Sequence, residues 1–234
     1  MMSILNHPLF GILFSLLAFN IGLFVYKKTK LPLFSPILIS ILMIIFILLH
    51  FHIPLAFYHK GGKMISFFLG PATVILAIPM YKQLPTLKNH MKAIFIGIIT
   101  GVLTSITIVH LLAKFMGLDA RLTLSLLPKS ITTPIGIAVS ESLGGMTSIT
   151  VMAIIVTGIF GAMIAPSVCR IFRIRHSVAK GIAIGTASHA VGTSKALEMG
   201  ETEGAMSSLS IALAGVATVL IVPLFTYLLT LRHL

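Results

Sequence analysis

Two short windows hold four of the five acidic residues of an otherwise apolar chain. They read T-T-P-I-G-I-A-V-S-E-S-L-G-G at 132–145 and S-H-A-V-G-T-S-K-A-L-E-M-G-E-T-E at 188–203. The chain as a whole is 57% hydrophobic and only 9% charged. Because a charged group is costly in apolar surroundings, charges concentrated in this way indicate a functional site.

The groups in and beside these windows suit the binding of a small anion. Pro134 and the glycines interrupt helices, and a helix N-terminus formed at such a break presents free N–H groups and a positive dipole end. Ammonium and hydroxyl groups lie next to the breaks and donate hydrogen bonds to a carboxylate. The predicted substrate-binding residues are Lys129, Ser130, Thr132, Thr133, Gly136, Gly192, Thr193, Ser194 and Lys195.

Three further residues are candidates for proton coupling, namely His189, Glu141 and Glu198. Histidine changes charge near neutral pH, and a carboxylate at membrane depth is often part of a proton pathway. Structural roles stay open for the same groups. Lys195 and Glu198 are three residues apart and can neutralise each other on one helix face, and His189 can bond a backbone carbonyl. Glu201 and Glu203 are expected in a solvated turn.

Enzymatic chemistry is not expected from this sequence. It contains no Gly-x-Ser-x-Gly or His-Glu-x-x-His motif and no His, Cys, Asp or Glu spacing that is typical of a metal site. The motifs therefore predict neither a catalytic residue nor a metal or cofactor. A net charge of +12 is typical of nucleic-acid-binding proteins, but here the basic residues lie in short segments between apolar runs rather than on one basic face.

The elements that position the windows are apolar runs long enough to cross a bilayer. A helix needs about 20 residues for this. The sequence predicts an all-α, polytopic integral membrane protein with about six spanning helices and two broken or re-entrant segments. The six runs are 8–26, 31–51, 64–81, 93–113, 146–168 and 204–231.

The distribution of Lys and Arg favours windows that return to the side they came from, because basic residues accumulate on the cytoplasmic side. Re-entrant windows place ten basic residues inside, namely Lys27, Lys28, Lys30, Lys82, Lys88, Lys92, Arg170, Arg173, Arg175 and Lys180. Five lie outside, namely Lys60, Lys63, Lys114, Arg121 and Arg232. The N-terminus is then external.

A possible inverted repeat follows from the same topology. Pro134-Ile135-Gly136 aligns with Ala190-Val191-Gly192 at an offset of 56, and the following helices share a Gly-x7-Pro pattern, Gly158 to Pro166 and Gly215 to Pro223. The chain is interpreted as one transmembrane domain, 1–234, with N-terminal helices at 1–127 and the two polar segments with their helices at 128–234. Inverted repeats with interrupted segments are typical of secondary transporters.

Several longer motifs resemble the LrgB/CidB family of bacterial membrane proteins over almost the whole chain. They are L-G-P-A-T-V-I-L-A-I-P-M-Y-K-Q at 69–83, L-L-P-K-S-I-T-T-P-I-G at 126–136, S-L-G-G at 142–145, A-K-G-I-A-I-G-T-A-S-H-A-V-G-T-S-K-A-L-E-M at 179–199 and G-A-M-S-S-L-S at 204–210. The form around Lys129 resembles the CidB side of the family, because a Gln is expected there on the LrgB side.

The resemblance implies two functions and a multi-pass location in the bacterial cell membrane. One is a holin- or antiholin-like role with a small LrgA/CidA-type partner in the control of murein hydrolase activity and cell lysis. The other follows plant chloroplast relatives that exchange glycolate and glycerate, and bacterial relatives linked to pyruvate. Because cations and hydroxyls converge on two interrupted segments, we favour a carrier of small monocarboxylates such as pyruvate, glycolate or lactate, with a homodimer expected.

Overall fold

The computed structural model describes residues 5–29, 34, 36–68, 71, 74, 75 and 77–231. Within these residues the regular elements are helices, which confirms the predicted all-α class. Of the sequence predictions, Lys30, Arg232 and residues 69, 70, 72, 73 and 76 of the first family motif lie outside the described part. The chain forms two compact units, Met1–Ile75 and Leu76–Leu234.

The first unit contains helices α1 (Pro8–Thr29), α2 (Pro36–His50) and α3 (Leu55–Phe67). Glycines allow the backbones of α1 and α3 to approach closely, since Gly11 and Gly61 face each other without side chains. A hydrogen bond of 2.9 Å between Ser15 Oγ and Tyr58 Oη joins the same two helices. Close approach through small residues is the usual way to pack helices in a membrane.

Two adjacent glycines of α3 provide a matched test of this packing. A Cβ at Gly61 would lie 2.6 Å from the amide nitrogen of Ile12 and 2.7 Å from Gly11 Cα, whereas a Cβ at Gly62 has only Tyr58 Cε1 near it, at 4.0 Å. Gly61→Ala is expected to destabilise the unit by about 2 kcal/mol through overpacking. Gly62→Ala is expected to be neutral or slightly stabilising. Thermal unfolding in detergent measures both, and equal behaviour of the two variants would contradict this packing.

The second unit contains seven helices among its described residues. They are α4 (Ala77–Lys82), α5 (Leu84–Phe115), α6 (Ala120–Leu126), α7 (Thr133–Ser142), α8 (Thr147–Ile171), α9 (Ser177–Met199) and α10 (Glu201–Leu231). The long helix α5 packs against α9 through Gly97 and Gly101, which face Ile182 and Thr186. This contact joins α5 to the second polar segment within the same compact unit.

Four helices within the described residues are long and apolar enough to cross a membrane, namely Pro8–Thr29, Lys88–Phe115, Thr147–Ile171 and Glu201–Leu228. They correspond to four of the six predicted runs. The predicted run 31–51 contains the shorter apolar helix Pro36–His50. The run 64–81 is not one helix in its described part, because α3 ends at Phe67 with Phe68 as its C-cap residue. Large apolar side chains such as Leu17, Phe24 and Phe95 are exposed, as expected for lipid-facing surfaces.

The first polar window overlaps a helical hairpin, here called hairpin 1, that α6 and α7 form (residues 120–142). Residues of its two arms meet near the start of α8. Ser125 at the end of α6 accepts a hydrogen bond from the Met146 amide at 2.7 Å, and Thr150 Oγ1 lies 2.9 Å from the Ser125 carbonyl oxygen and 2.7 Å from Ser140 Oγ. The segment 127–132 between the arms is therefore the tip, next to Pro134 at the start of α7.

The second polar window forms hairpin 2 (residues 177–199), which is α9 folded back at His189. This residue has φ 42° and ψ −137°, so the helix is broken there. In a straight helix Gly181 and Leu197 would be about 24 Å apart, yet Gly181 packs on the Glu203 backbone and Leu197 on Gly204. One turn further along α10, Ser207 contacts both Gly185 and Thr193. The two arms therefore lie side by side.

The hairpins enter the unit from opposite ends of α8, as an inverted repeat requires. Hairpin 1 opens beside Thr150 near the start of α8, and hairpin 2 begins at Ser177, just after α8 ends at Ile171. The tip of each hairpin packs against a glycine of the long helix that follows the other hairpin in the proposed repeat. A Cβ at Gly158 of α8 would lie 3.2 Å from Val191 Cβ of hairpin 2, and a Cβ at Gly215 of α10 would lie 2.8 Å from Ile135 Cδ1 of hairpin 1.

Candidate functional site

An open cavity of about 1060 Å³ lies within the second unit. Its walls come from α5, the tip of hairpin 1, the middle of α8 and the first arm of hairpin 2. The cavity extends along α5 from His90 to Ile108, a distance of roughly 27 Å by helix geometry. His90 meets His176, the residue that precedes hairpin 2, at a ring-centroid distance of 5.5 Å, with the rings edge to face. The volume is ample for a small organic molecule.

Lys129 is the cation that lines this cavity together with hydroxyl groups. Its Nζ donates to Ser130 Oγ at 3.3 Å, and Ser130 Oγ lies 2.9 Å from Ser105 Oγ. Three of the carboxylates pair with other lysines, namely Glu198 with Lys195, Glu201 with Lys82 and Glu203 with Lys180. Among the described residues no carboxylate lies within 4.0 Å of Lys129 Nζ, so none of them neutralises this half-buried ammonium group.

The remaining walls are mainly apolar with a few hydroxyls. Phe160, Ile164 and Ile182 supply apolar surface, and Thr100 and Thr104 of α5 add neutral hydrogen-bonding groups. A pocket that is largely apolar with a few convergent polar groups is the usual form of a small-molecule site. One ammonium in such a pocket balances one negative charge, so the arrangement suits a small monoanion with an apolar part.

Of the substrate-binding residues predicted in or just before the first window, Lys129 and Ser130 line the cavity and the others do not. Thr132 precedes α7 and makes no side-chain capping bond, and Thr133 begins the helix. Gly136 is buried against the side chain of Ile154, so its role here is close packing. Glu141 is exposed near the open end of hairpin 1.

The residues predicted in the second window lie on the other arm of hairpin 2 or at its tip. His189 is buried, and its Nε2 is 3.0 Å from the Ile154 carbonyl oxygen. Gly192 is buried against Ser188 and Ile184 of the first arm. Thr193 Oγ1 bonds Ser207 Oγ at 2.7 Å and lies 3.0 Å from the His189 carbonyl oxygen. Ser194 is exposed, and Lys195 pairs with Glu198 at 2.7 Å.

The cavity also contains residues that sequence reasoning did not select, namely His90, Ser105, His176, Thr186 and Ser188. One signal was present: Gly97, Gly101 and Ser105 recur at four-residue spacing on α5, which marks a face of small residues for close helix contact. Glu203 also differs from the expected solvated turn. Its side chain is only 8% exposed and lies 3.7 Å from Lys180 Nζ, because hairpin 2 covers the first turn of α10.

Comparison with known proteins agrees with the resemblance seen in the motifs. The model of the LrgB-like family matches residues 15–228. Proteins named antiholin-like protein LrgB from Bacillus mycoides, Bacillus cereus and Bacillus anthracis are each 41% identical to this chain over 219 residues, which is 93% of this chain and 95% of theirs. No solved structure matches the chain.

Proposed function

This chain belongs to the LrgB-like family of multi-pass bacterial membrane proteins, and from that premise we propose that it carries small monocarboxylates across the membrane. The observation that carries the proposal is Lys129. Its ammonium group lines the open cavity beside Ser130 and Ser105, with no carboxylate within 4.0 Å among the described residues. A substrate carboxylate would complete this group of donors.

Two further features support transport rather than simple binding. The cavity lies where the two hairpins from opposite ends of α8 meet, which is the arrangement that alternating-access carriers use for a central site. Transport also requires no catalytic residue, and the sequence contains no catalytic motif. Among the proton-coupling candidates, His189 lies at a hairpin tip, whereas Glu141 and Glu198 are exposed. We therefore include proton coupling through His189 in the proposal.

A second candidate function rests on the names of the relatives, which are antiholin-like proteins. In this alternative the chain acts with an LrgA/CidA-type membrane partner in the control of murein hydrolase activity and cell lysis, without transporting a substrate. Exposed apolar side chains on several helices offer contact surface for such a partner or for a second copy. The binding cavity and its cation have no role in this alternative.

Uptake into liposomes that contain only this protein tests the proposal. We expect saturable uptake of labelled pyruvate, glycolate or lactate, and stimulation by an inward proton gradient. Succinate should be taken up poorly, because one ammonium cannot balance two carboxylates in an apolar cavity. Absence of saturable uptake, with dye leakage that requires an added LrgA/CidA-type partner, would contradict the carrier and favour the second function.

A further inference from the structure

The tips of the two hairpins are equivalent to each other in sequence. At an offset of 56 the segment S-I-T-T-P-I-G at 130–136 aligns with T-A-S-H-A-V-G at 186–192. Hydroxyl residues match at the first and third positions, an aliphatic residue at the sixth and glycine at the seventh. Ser130 thus corresponds to Thr186, and Thr132 to Ser188.

Side-chain packing also supports the equivalence of the two hairpins, independently of the sequence alignment. Thr150 and Ser207 are 57 residues apart, both are fully buried, and each bonds a hydroxyl of the hairpin that precedes its helix, although these hydroxyls, Ser140 and Thr193, are 53 residues apart and not at matching positions. The exchanged contacts of Gly158 with Val191 and of Gly215 with Ile135 follow the same offsets. Because the two hairpins approach from opposite ends of α8, equivalent positions at their tips are brought to the same region.

Ser130 and Thr186 are one of the aligned pairs, and the Thr186 hydroxyl has no hydrogen-bond partner among the described residues. Thr186 is 6% exposed. Its methyl group faces α5, with Cγ2 2.8 Å from the Cβ position of Gly101. Thr186 lines the cavity with Lys129 and a small adjoining void with Ser105 and Ser130, and its Oγ1 is almost inaccessible in this conformation, so a ligand reaches it only when this packing opens. A buried hydroxyl without a partner costs free energy unless a ligand or water completes it.

We propose that Thr186 is a binding residue for the anion, so that each hairpin tip contributes one hydroxyl, Ser130 from hairpin 1 and Thr186 from hairpin 2. The inference rests on the proposed function and adds to it that both repeats hold the ligand. Lys129 supplies the charge, and the two hydroxyls donate from the two hairpins. The contribution of hairpin 2 thus comes from its first arm and not from Thr193, Ser194 or Lys195 on its second arm.

The test compares Thr186→Val, which removes the hydroxyl at nearly constant shape, with Thr186→Ser, which keeps it. The affinity of the purified protein for pyruvate is measured by isothermal titration. We expect Thr186→Val to raise the Kd at least about tenfold, as for a lost hydrogen bond to a charged group. Thr186→Ser should stay within about threefold of the parent. Ser210→Ala removes a buried hydroxyl outside the cavity and serves as the control, with unchanged Kd.

Unfolding temperature without ligand separates binding from a structural role. Since the Thr186 hydroxyl has no partner, Thr186→Val should unfold at the parent temperature or higher, whereas a structural hydroxyl would lower it. A parent that binds pyruvate while Thr186→Val binds it equally well would overturn the role of Thr186 and leave the carrier proposal standing. A parent that binds none of pyruvate, glycolate and lactate would overturn both.

Discussion

Replacing Lys129 with Gln is expected to lower pyruvate uptake into liposomes by about a hundredfold. The substitution removes the charge that lines the cavity and leaves an uncharged amide of similar length beside Ser130. A substrate carboxylate would then enter an apolar cavity with no counter-charge, and the loss of a charge-assisted hydrogen bond there accounts for a change of this size. Arg at this position keeps the charge and should retain part of the uptake.

Two other lysines serve as comparisons for this result. Lys114→Gln removes the same charge at the exposed end of α5 and should leave uptake unchanged. Lys195→Gln should cause a much smaller loss than Lys129→Gln, because the Lys195 ammonium is already neutralised by Glu198 at 2.7 Å. If Lys129→Gln transported normally while Lys195→Gln did not, the site would lie on the second arm of hairpin 2 and the cavity around Lys129 would not be the substrate site.

Replacing His189 is expected to have the largest effect on folding, with an unusual order of variants. The imidazole is buried and bonds the Ile154 carbonyl oxygen at 3.0 Å, so His189→Ala should cost about 3 kcal/mol from the void and the lost bond. Within a helix Ala is more stable than Gly, but at φ 42° the order reverses, because glycine tolerates positive φ without strain. His189→Gly should therefore be more stable than His189→Ala, by about 1 kcal/mol.

Gly158 allows a double-mutant cycle on the same feature. A Cβ at Gly158 would lie 2.6 Å from His189 Cε1, so Gly158→Ala should destabilise the parent protein. In the His189→Gly background the imidazole is gone, and the same substitution should cost clearly less, because only the contact with Val191 Cβ at 3.2 Å remains. Thermal unfolding in detergent measures all four proteins. Additive effects of the two substitutions, or a His189→Ala variant more stable than His189→Gly, would show that the chain does not turn at His189 against α8.

Most of the membrane architecture was predictable from local sequence. Four apolar runs became helices of spanning length because hydrophobic length alone decides whether a helix suits a bilayer. Pro134 stands at the start of α7, as expected of a residue that interrupts helices, whereas the second window breaks at His189 and the helix continues through Gly192, where the sequence predicted an interruption. The pairing of Lys195 with Glu198 also followed from their spacing in the chain.

What the amino-acid sequence determined by itself was therefore the all-α membrane class, the family, the location of the polar windows and the pairing of near neighbours. Only the tertiary structure decided which polar groups meet. The fold-back of α9 at His189 brings its first arm, with Thr186, to the cavity of Lys129, and turns the second arm away. Spacing along a chain specifies contacts within one helix, whereas contacts between α5 and two hairpin tips depend on close packing among distant segments.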